Sequence, residues 1–118
     1  MNAGPLSDIR VLEMGQLIAG PFCGQLLGDF GAEVIKVEDP AGGDPLRRWG
    51  RMKDGQSLWW PSLARNKRSV TLDLRQREGQ AIARDLAAKC DVMVENFRPG
   101  ALGAGVWAGT CCRPRTRG

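Results

Sequence analysis

The stretch IRVLEMGQLIAGPFCGQLLGDFGAEVIKVE, residues 9–38, carries the reading that decides the fold. It opens and closes on short apolar runs rich in β-branched residues, 9–14 and 33–38, each the length of a strand. Between them 21–30 has helical character, with Pro21 suited to a first helical turn and Gly31 placed to end it. This is a strand, helix, strand unit, and two strands joined through a helix run parallel with a right-handed crossover.

The pattern recurs downstream. Runs 69–73 and 91–95 read as two further strands, and 76–89 between them is rich in helix formers. Ile82, Leu86 and Cys90 fall at i, i+4, i+8 in that helix and predict its sheet-facing stripe. The link 39–67 is longer; it holds Gly42, Gly43, Gly50 and Gly55 and an apolar piece, 58–63, broken by Pro61, and reads as a loop with one short helix. Strands alternating with helices predict an α/β fold, a Rossmann-like parallel sheet with flanking helices.

A chain of 118 residues, 42% hydrophobic and 25% charged, is of ordinary composition for one globular domain. No apolar run approaches the roughly 20 residues of a membrane-spanning helix, and MNAGPLSDIR lacks a basic start followed by an apolar stretch. The expectation is a cytoplasmic protein with no membrane partner. The net charge of +4 sits mostly in the tail, where Arg113, Arg115 and Arg117 have no acidic neighbour. The body is nearly neutral, which argues against a nucleic-acid partner. Histidine is absent, removing histidine-based acid/base chemistry and most catalytic zinc sites. Cys23, Cys90, Cys111 and Cys112 form no zinc spacing, so no metal is expected, and Cys23 and Cys90 read as small buried side chains.

In an open parallel sheet, ligands bind outside the carboxyl ends of the strands, where loops converge and helix amino termini present free N–H groups. The residues that matter therefore follow each strand: 15–21 after the first, 38–44 after the second, Leu74 and Arg75 after the third, 96–100 after the fourth. Each has two readings. The loop between Gly15 and Gly20 lets backbone approach a ligand, or is a tight turn; it lacks G-x-G-x-x-G, so a dinucleotide fingerprint is not supported. Glu38 stands where a ribose-binding acid falls in a Rossmann unit, and equally where a strand end meets water. Arg65, Lys67 and Arg68 taken alone read as a solvated basic patch. Asn96 suits a ligand contact or a local bond within its own turn. Trp59 and Trp60 read as core or interface.

In combination these elements are specific. VLEMGQLIAGPFCGQLLGDFGAEVIKVE, then GGDPLRRWG, NKRSVTLDL and DVMVENFRPGAL, in this order, resemble the opening of the class III (CaiB/BaiF) CoA-transferases. That family includes formyl-CoA transferases, carnitine CoA-transferases and α-methylacyl-CoA racemases. The resemblance covers 6–102, most of this chain and a minor part of a full-length member, and it does not separate transferase from racemase.

The resemblance implies that CoA or acyl-CoA, with no metal, lies across the strand ends. Ile18 and Ala19 would contact the pantetheine end, Leu72, Asp73, Leu74 and Arg75 would border the nucleotide, and Asn96, Phe97 and Arg98 would hold the adenosine side. Arg75 and Arg98 are able to pair with phosphate oxygens, and Phe97 offers an apolar face. Where some members place a basic residue after the second strand, this chain has Asp39, so that contact is not carried over. An arginine of the family pattern beyond Leu102 has no match either, since Ala104 stands there. In the family's transferases an aspartate attacks the acyl-CoA thioester to give an acyl-aspartyl anhydride, then an aspartyl-CoA thioester that passes CoA to the acceptor carboxylic acid. That aspartate is expected to lie beyond the residues of this chain, which is then silent by itself. Full-length members are interlocked homodimers, a topology a chain of this length is not expected to form. A non-catalytic CoA-binding module is the alternative from a different class.

Near Gly103 the composition changes: GAGVWAGTCCRPRTRG has neither helical nor strand period and no acid. One permitted set of codons for 107–117, read two nucleotides later, encodes GWDVLSAANP, the continuation that the resemblance implies. The expectation is a family segment over 6–102 and a frameshifted tail over 103–118, which the genomic sequence would check.

Overall fold

A computed structural model of the chain describes residues 4–101. The tail 103–118, with its change of composition, lies outside the described residues. Four strands, β1 (Arg10–Glu13), β2 (Glu33–Glu38), β5 (Lys67–Thr71) and β6 (Val92–Val94), form one sheet in the order β5-β2-β1-β6. All three pairings are parallel, with Val11 against Val34 and Val92, and Glu13 against Lys36 and Val94. Helix α1 (Ala19–Asp29) links β1 to β2, and α3 (Arg77–Ala88) links β5 to β6. The expected α/β architecture is present, with β1, β2, β5, β6, α1 and α3 each within two residues of its predicted bounds.

The sheet is covered on both faces. Leu12, Met14 and Val37 pack with Ala83 of α3, joined by Ile35, Val70, Leu72, Leu86 and Phe97. On the other face Val11, Ala32 and Val34 gather Leu6, Ile9 and Leu27. Period-two alternation explains the division: Leu12 and Met14 point one way from β1, Val11 and Glu13 the other.

Helix packing differs from the apolar-stripe expectation. The buried face of α1 is Gly20, Pro21, Gly24, Gln25 and Gly28, while Phe22, Leu26 and Phe30 are 48%, 42% and 56% exposed. Cys23 shares the outer side and is exposed, contrary to expectation; Cys90 is half-buried against the core. In α3 the contact is made by Gly79 and Ala83, with Leu86 and Cys90 packed beside them and Ile82 turned out, 47% exposed. In α1 the cause is close approach, since a Cβ at Gly24 would stand 1.8 Å from Glu13 Oε1 of β1; Gly79 instead makes room for the turn that leads into α3, where a Cβ would stand 2.1 Å from the Asp73 carbonyl oxygen.

The link between β2 and β5 is more structured than a loop. It contains a 3₁₀ turn (Pro45–Arg48), a two-stranded hairpin of β3 (Met52–Lys53) and β4 (Gln56–Ser57), and the short helix α2 (Trp60–Leu63). Asp54 and Gly55, at φ 51° and 77°, form the hairpin turn that an Asp-Gly pair favours. Trp60 is half-buried beneath the Arg47 guanidinium, 3.8 Å from its ring centre, and Trp59, 48% exposed, tilts against Trp49.

Candidate functional site

Because the sheet is wholly parallel, the loops after β1, β2, β5 and β6 emerge at one rim. The strand order reverses at β1, which has β2 on one side and β6 on the other, so a crevice opens between their carboxyl ends. A cleft of about 160 Å³ at this rim draws on all four loops: Met14 and Gln16; Val37, Glu38 and Asp39; Leu72, Asp73, Leu74 and Arg75; and Phe97. Ligand pockets commonly run to roughly 300–1,000 Å³, so the cleft by itself is smaller than a typical small-molecule site. A wider depression of about 270 Å³ lies at the opposite rim, among Asp8, Arg10, Glu33 and Asp91. There Arg10 pairs with Glu33 at 2.7 Å and its backbone N–H donates to Asp91, and ligands of open parallel sheets bind at the other, carboxyl ends of the strands.

Of the expected site residues, Leu72, Asp73, Leu74, Arg75 and Phe97 line the cleft, and Ile18, Ala19, Asn96 and Arg98 stand outside it. Ile18 caps α1 without a side-chain cap bond, and the first turn of α1 carries no acid, leaving a positive helix end at the rim. Asn96 does not close its own turn. Its Oδ1 accepts from the Gln16 N–H and its Nδ2 donates to the Gln16 carbonyl, both at 2.8 Å, clasping the β6 loop to the β1 loop. Gly15 and Gly20 make room for that clasp, since a Cβ at Gly15 would meet Asn96 Oδ1 at 2.6 Å.

Charge in the cleft is already organised. Arg75 donates from Nε to Asp73 at 2.8 Å and lies 3.4 Å from Asp39. The hydrogen bond to Asp73 raises the Arg75 pKa and lowers that of Asp73. Glu38, far from being a solvated strand end, is 4% exposed. It accepts two bonds from Arg47, at 2.7 and 2.8 Å, one from the Asp44 N–H at 2.9 Å and one from Ser69. Burial alone would raise its pKa, but these donors outweigh it and bring it down to about 2.

Beneath the rim lies a feature that sequence reasoning missed. Glu13, Lys36, Asp44 and Lys67 form a buried group of two anions and two cations. Lys36 Nζ lies 2.7 Å from both Glu13 Oε2 and Asp44 Oδ2 and 3.2 Å from the Gly15 carbonyl; Lys67 Nζ lies 2.6 Å from Glu13 Oε1 and 2.7 Å from the Pro21 carbonyl. Glu13 Oε1 and Asp44 Oδ2 lack well-aligned hydrogen bonds, yet each has an ammonium within 2.7 Å, and opposite charge compensates the group. Burial lowers the Lys67 pKa and Glu13 opposes that shift. The basic run 65–68 is therefore no single solvated patch: Lys67 is buried, Arg65 grips Asp29 with two bonds, and Arg68 alone is highly exposed. A signal was present, since Glu13 and Lys36 are opposite charges inside apolar parallel strands, where both faces are normally apolar.

These geometries match known proteins. CoA-transferase family III matches residues 6–106. The chain is 64% identical over 99 residues to succinyl-CoA–D-citramalate CoA-transferase of Chloroflexus aurantiacus, covering 83% of this chain and 25% of that protein. It is 45% identical over 104 residues to human succinyl-CoA:glutarate CoA-transferase, covering 87% and 24%. Among solved structures, a CaiB/BaiF family protein from Brucella suis superposes with a TM-score of 0.77 at 42% identity, over 86% of this chain and 28% of that one. The chain thus spans about a quarter of the length of the curated relatives it matches. With the family pattern running through all four strands and the loops that follow them, this chain belongs to CoA-transferase family III.

Proposed function

We propose that this chain forms the CoA-binding rim of a CoA-transferase that moves CoA between an acyl-CoA and a carboxylic acid. The carrying observation is the convergence of four post-strand loops on one rim of a parallel sheet, at its reversal of strand order. Succinyl-CoA is the proposed donor, because the relatives above are named for it; those names also favour transfer over racemisation. Ile18 and Ala19 sit at the positive end of α1 beside the pantetheine, Leu72, Asp73, Leu74 and Arg75 border the nucleotide, and Phe97 and Arg98 flank the adenosine. Asn96 contributes by holding the loops, since both polar atoms of its side chain are engaged with Gln16.

The rim binds rather than reacts. A carboxylate that attacks a thioester must be free, and Glu38, Asp39 and Asp73 are each engaged by arginine or backbone donors. We accordingly assign the carboxylate that attacks the thioester to a position outside this rim, and this segment, 6–102, to holding the carrier. No helix among the described residues is long and apolar enough to cross a membrane, and a cytoplasmic site of action is part of the proposal.

Calorimetric titration of the purified chain with CoA and with succinyl-CoA tests this. The expected result is saturable binding of both, weakened on the order of tenfold by Arg75→Ala through loss of a charge-assisted bond, with no CoA transfer to added acids. Absence of binding by the folded chain would overturn the assignment of a carrier site to it.

A further inference from the structure

We propose that Asp44 is a positioning residue, the latch by which the β2–β5 link sets the conformation of the loop after β1. The observation is a run of three consecutive residues held by side chains remote in sequence. The Gly15 carbonyl accepts from Lys36 at 3.2 Å, both backbone groups of Gln16 are bound by Asn96, and the Leu17 N–H donates to Asp44 Oδ1 at 2.9 Å. Leu17 has φ 63°, a left-handed conformation that a leucine adopts only under constraint. Nothing within the loop supplies that constraint; Asp44 does.

Asp44 is itself fixed on every side. It is 2% exposed, its Oδ1 also accepts from the Leu46 N–H at 2.9 Å, its Oδ2 lies 2.7 Å from Lys36, and its own N–H donates to Glu38. Asp44 thus transmits the geometry of β2, through Lys36 and Glu38, to the point where α1 begins. Directly after Leu17 come Ile18 and Ala19, the residues placed beside the carrier, so this inference rests on the proposed function for its ligand and on Leu17 for its geometry. A carboxylate suits the position because one oxygen accepts two N–H groups while the other answers a buried ammonium.

The test combines amide hydrogen exchange with CoA titration in the full chain, for wild type, Asp44→Ala and Asp44→Asn. In wild type the Leu17 amide is expected to be protected well beyond an unstructured amide; exchange at the unstructured rate overturns the latch, whatever the variants do. Asp44→Ala should speed Leu17 exchange at least tenfold while amides of Val11, Leu12 and Val34 stay protected, and weaken CoA binding on the order of tenfold. Asp44→Asn keeps an oxygen acceptor for Leu17 but turns an amide NH2 toward the Lys36 ammonium. It should lower the melting temperature as Asp44→Ala does and still slow Leu17 exchange and strengthen CoA binding relative to Asp44→Ala; exchange as fast as in Asp44→Ala overturns the acceptor role. Unchanged CoA affinity in a folded Asp44→Ala with a loosened Leu17 amide overturns the positioning role. If wild type binds no CoA the function proposed above fails instead, and Leu17 exchange by itself decides the latch.

Discussion

Replacing Gly24 by alanine puts a methyl group into the buried carboxylate of Glu13. The new Cβ would stand 1.8 Å from Glu13 Oε1 and 2.9 Å from its Cδ. Carbon and oxygen atoms need roughly 3.5 Å, so the carboxylate or the helix must move by about 1.5–2 Å. The carboxylate is 0% exposed and held by Lys67 and Lys36 at 2.6 and 2.7 Å, so swinging it away strands a buried ammonium. Breaking a buried pair in this way costs about 3–5 kcal/mol, against about 1 kcal/mol gained from replacing a mid-helix glycine by alanine. The net loss of about 2–4 kcal/mol is a large part of the stability of a small domain. Gly28→Ala is the control, because there the nearest atom is Val34 Cγ2 at 3.4 Å, an ordinary contact. Urea unfolding followed by tryptophan fluorescence should show Gly24→Ala far below wild type and Gly28→Ala level with it or above. Equal midpoints for the two variants, with unchanged slopes, would refute the claim that Gly24 exists to seat the Glu13 carboxylate.

Glu38 ties stability to acid pH. Its pKa is 4.5 ordinarily and about 2 in the fold, so its contribution is full above pH 4.5 and is lost as pH falls through about 2. At 1.36 kcal/mol per unit, discounted for screening at the part-exposed Arg47, the loss is on the order of 2 kcal/mol, and Glu38→Gln should flatten that part of a stability–pH curve. Asn96→Ala removes two bonds to Gln16 and should cost about 1–2 kcal/mol, with the Gln16 amide exchanging faster than those of the central strands. Leu17→Gly should leave thermal stability nearly unchanged, since relief of a left-handed leucine offsets the flexibility of glycine, whereas Leu17→Val should lower it by about 1–2 kcal/mol. Ile18, Phe22, Leu26 and Phe30 recur at i+4 and are each at least 37% exposed, so the free chain should self-associate. Phe22→Asp with Leu26→Lys should shift sedimentation toward monomer without lowering the melting temperature, and a monomeric wild type would count against the idea.

Much of the fold was legible because period and punctuation are local properties. Residues 9–38 specify a β-α-β unit through their own β-branched runs, Pro21 and Gly31, and 67–94 repeats the device. Motif order carried the family assignment, and the parallel alternation put the four loops at one rim. The hairpin turn at Asp54 and Gly55 also has a local signal, the left-handed conformation that an Asp-Gly pair favours. Which face of α1 is buried was not readable from apolar spacing, because its buried positions are held by Gly20, Gly24 and Gly28 while Phe22 and Leu26 turn outward; in α3 the Leu86 and Cys90 part of the predicted stripe packs on the core and Ile82 turns out.

The sequence by itself determined the two strand-helix-strand units, their parallel sense and the family, since each follows from residue type and spacing along the chain. Only the tertiary structure decided what Asp44, Lys36, Lys67 and Asn96 do. Each has a partner far along the chain, Asp44 at Leu17, Lys36 at Glu13, Lys67 at Pro21 and Asn96 at Gln16, 23 to 80 residues away, and a charge that reads as solvated in one dimension becomes a buried latch once three strands and a helix remove the water around it.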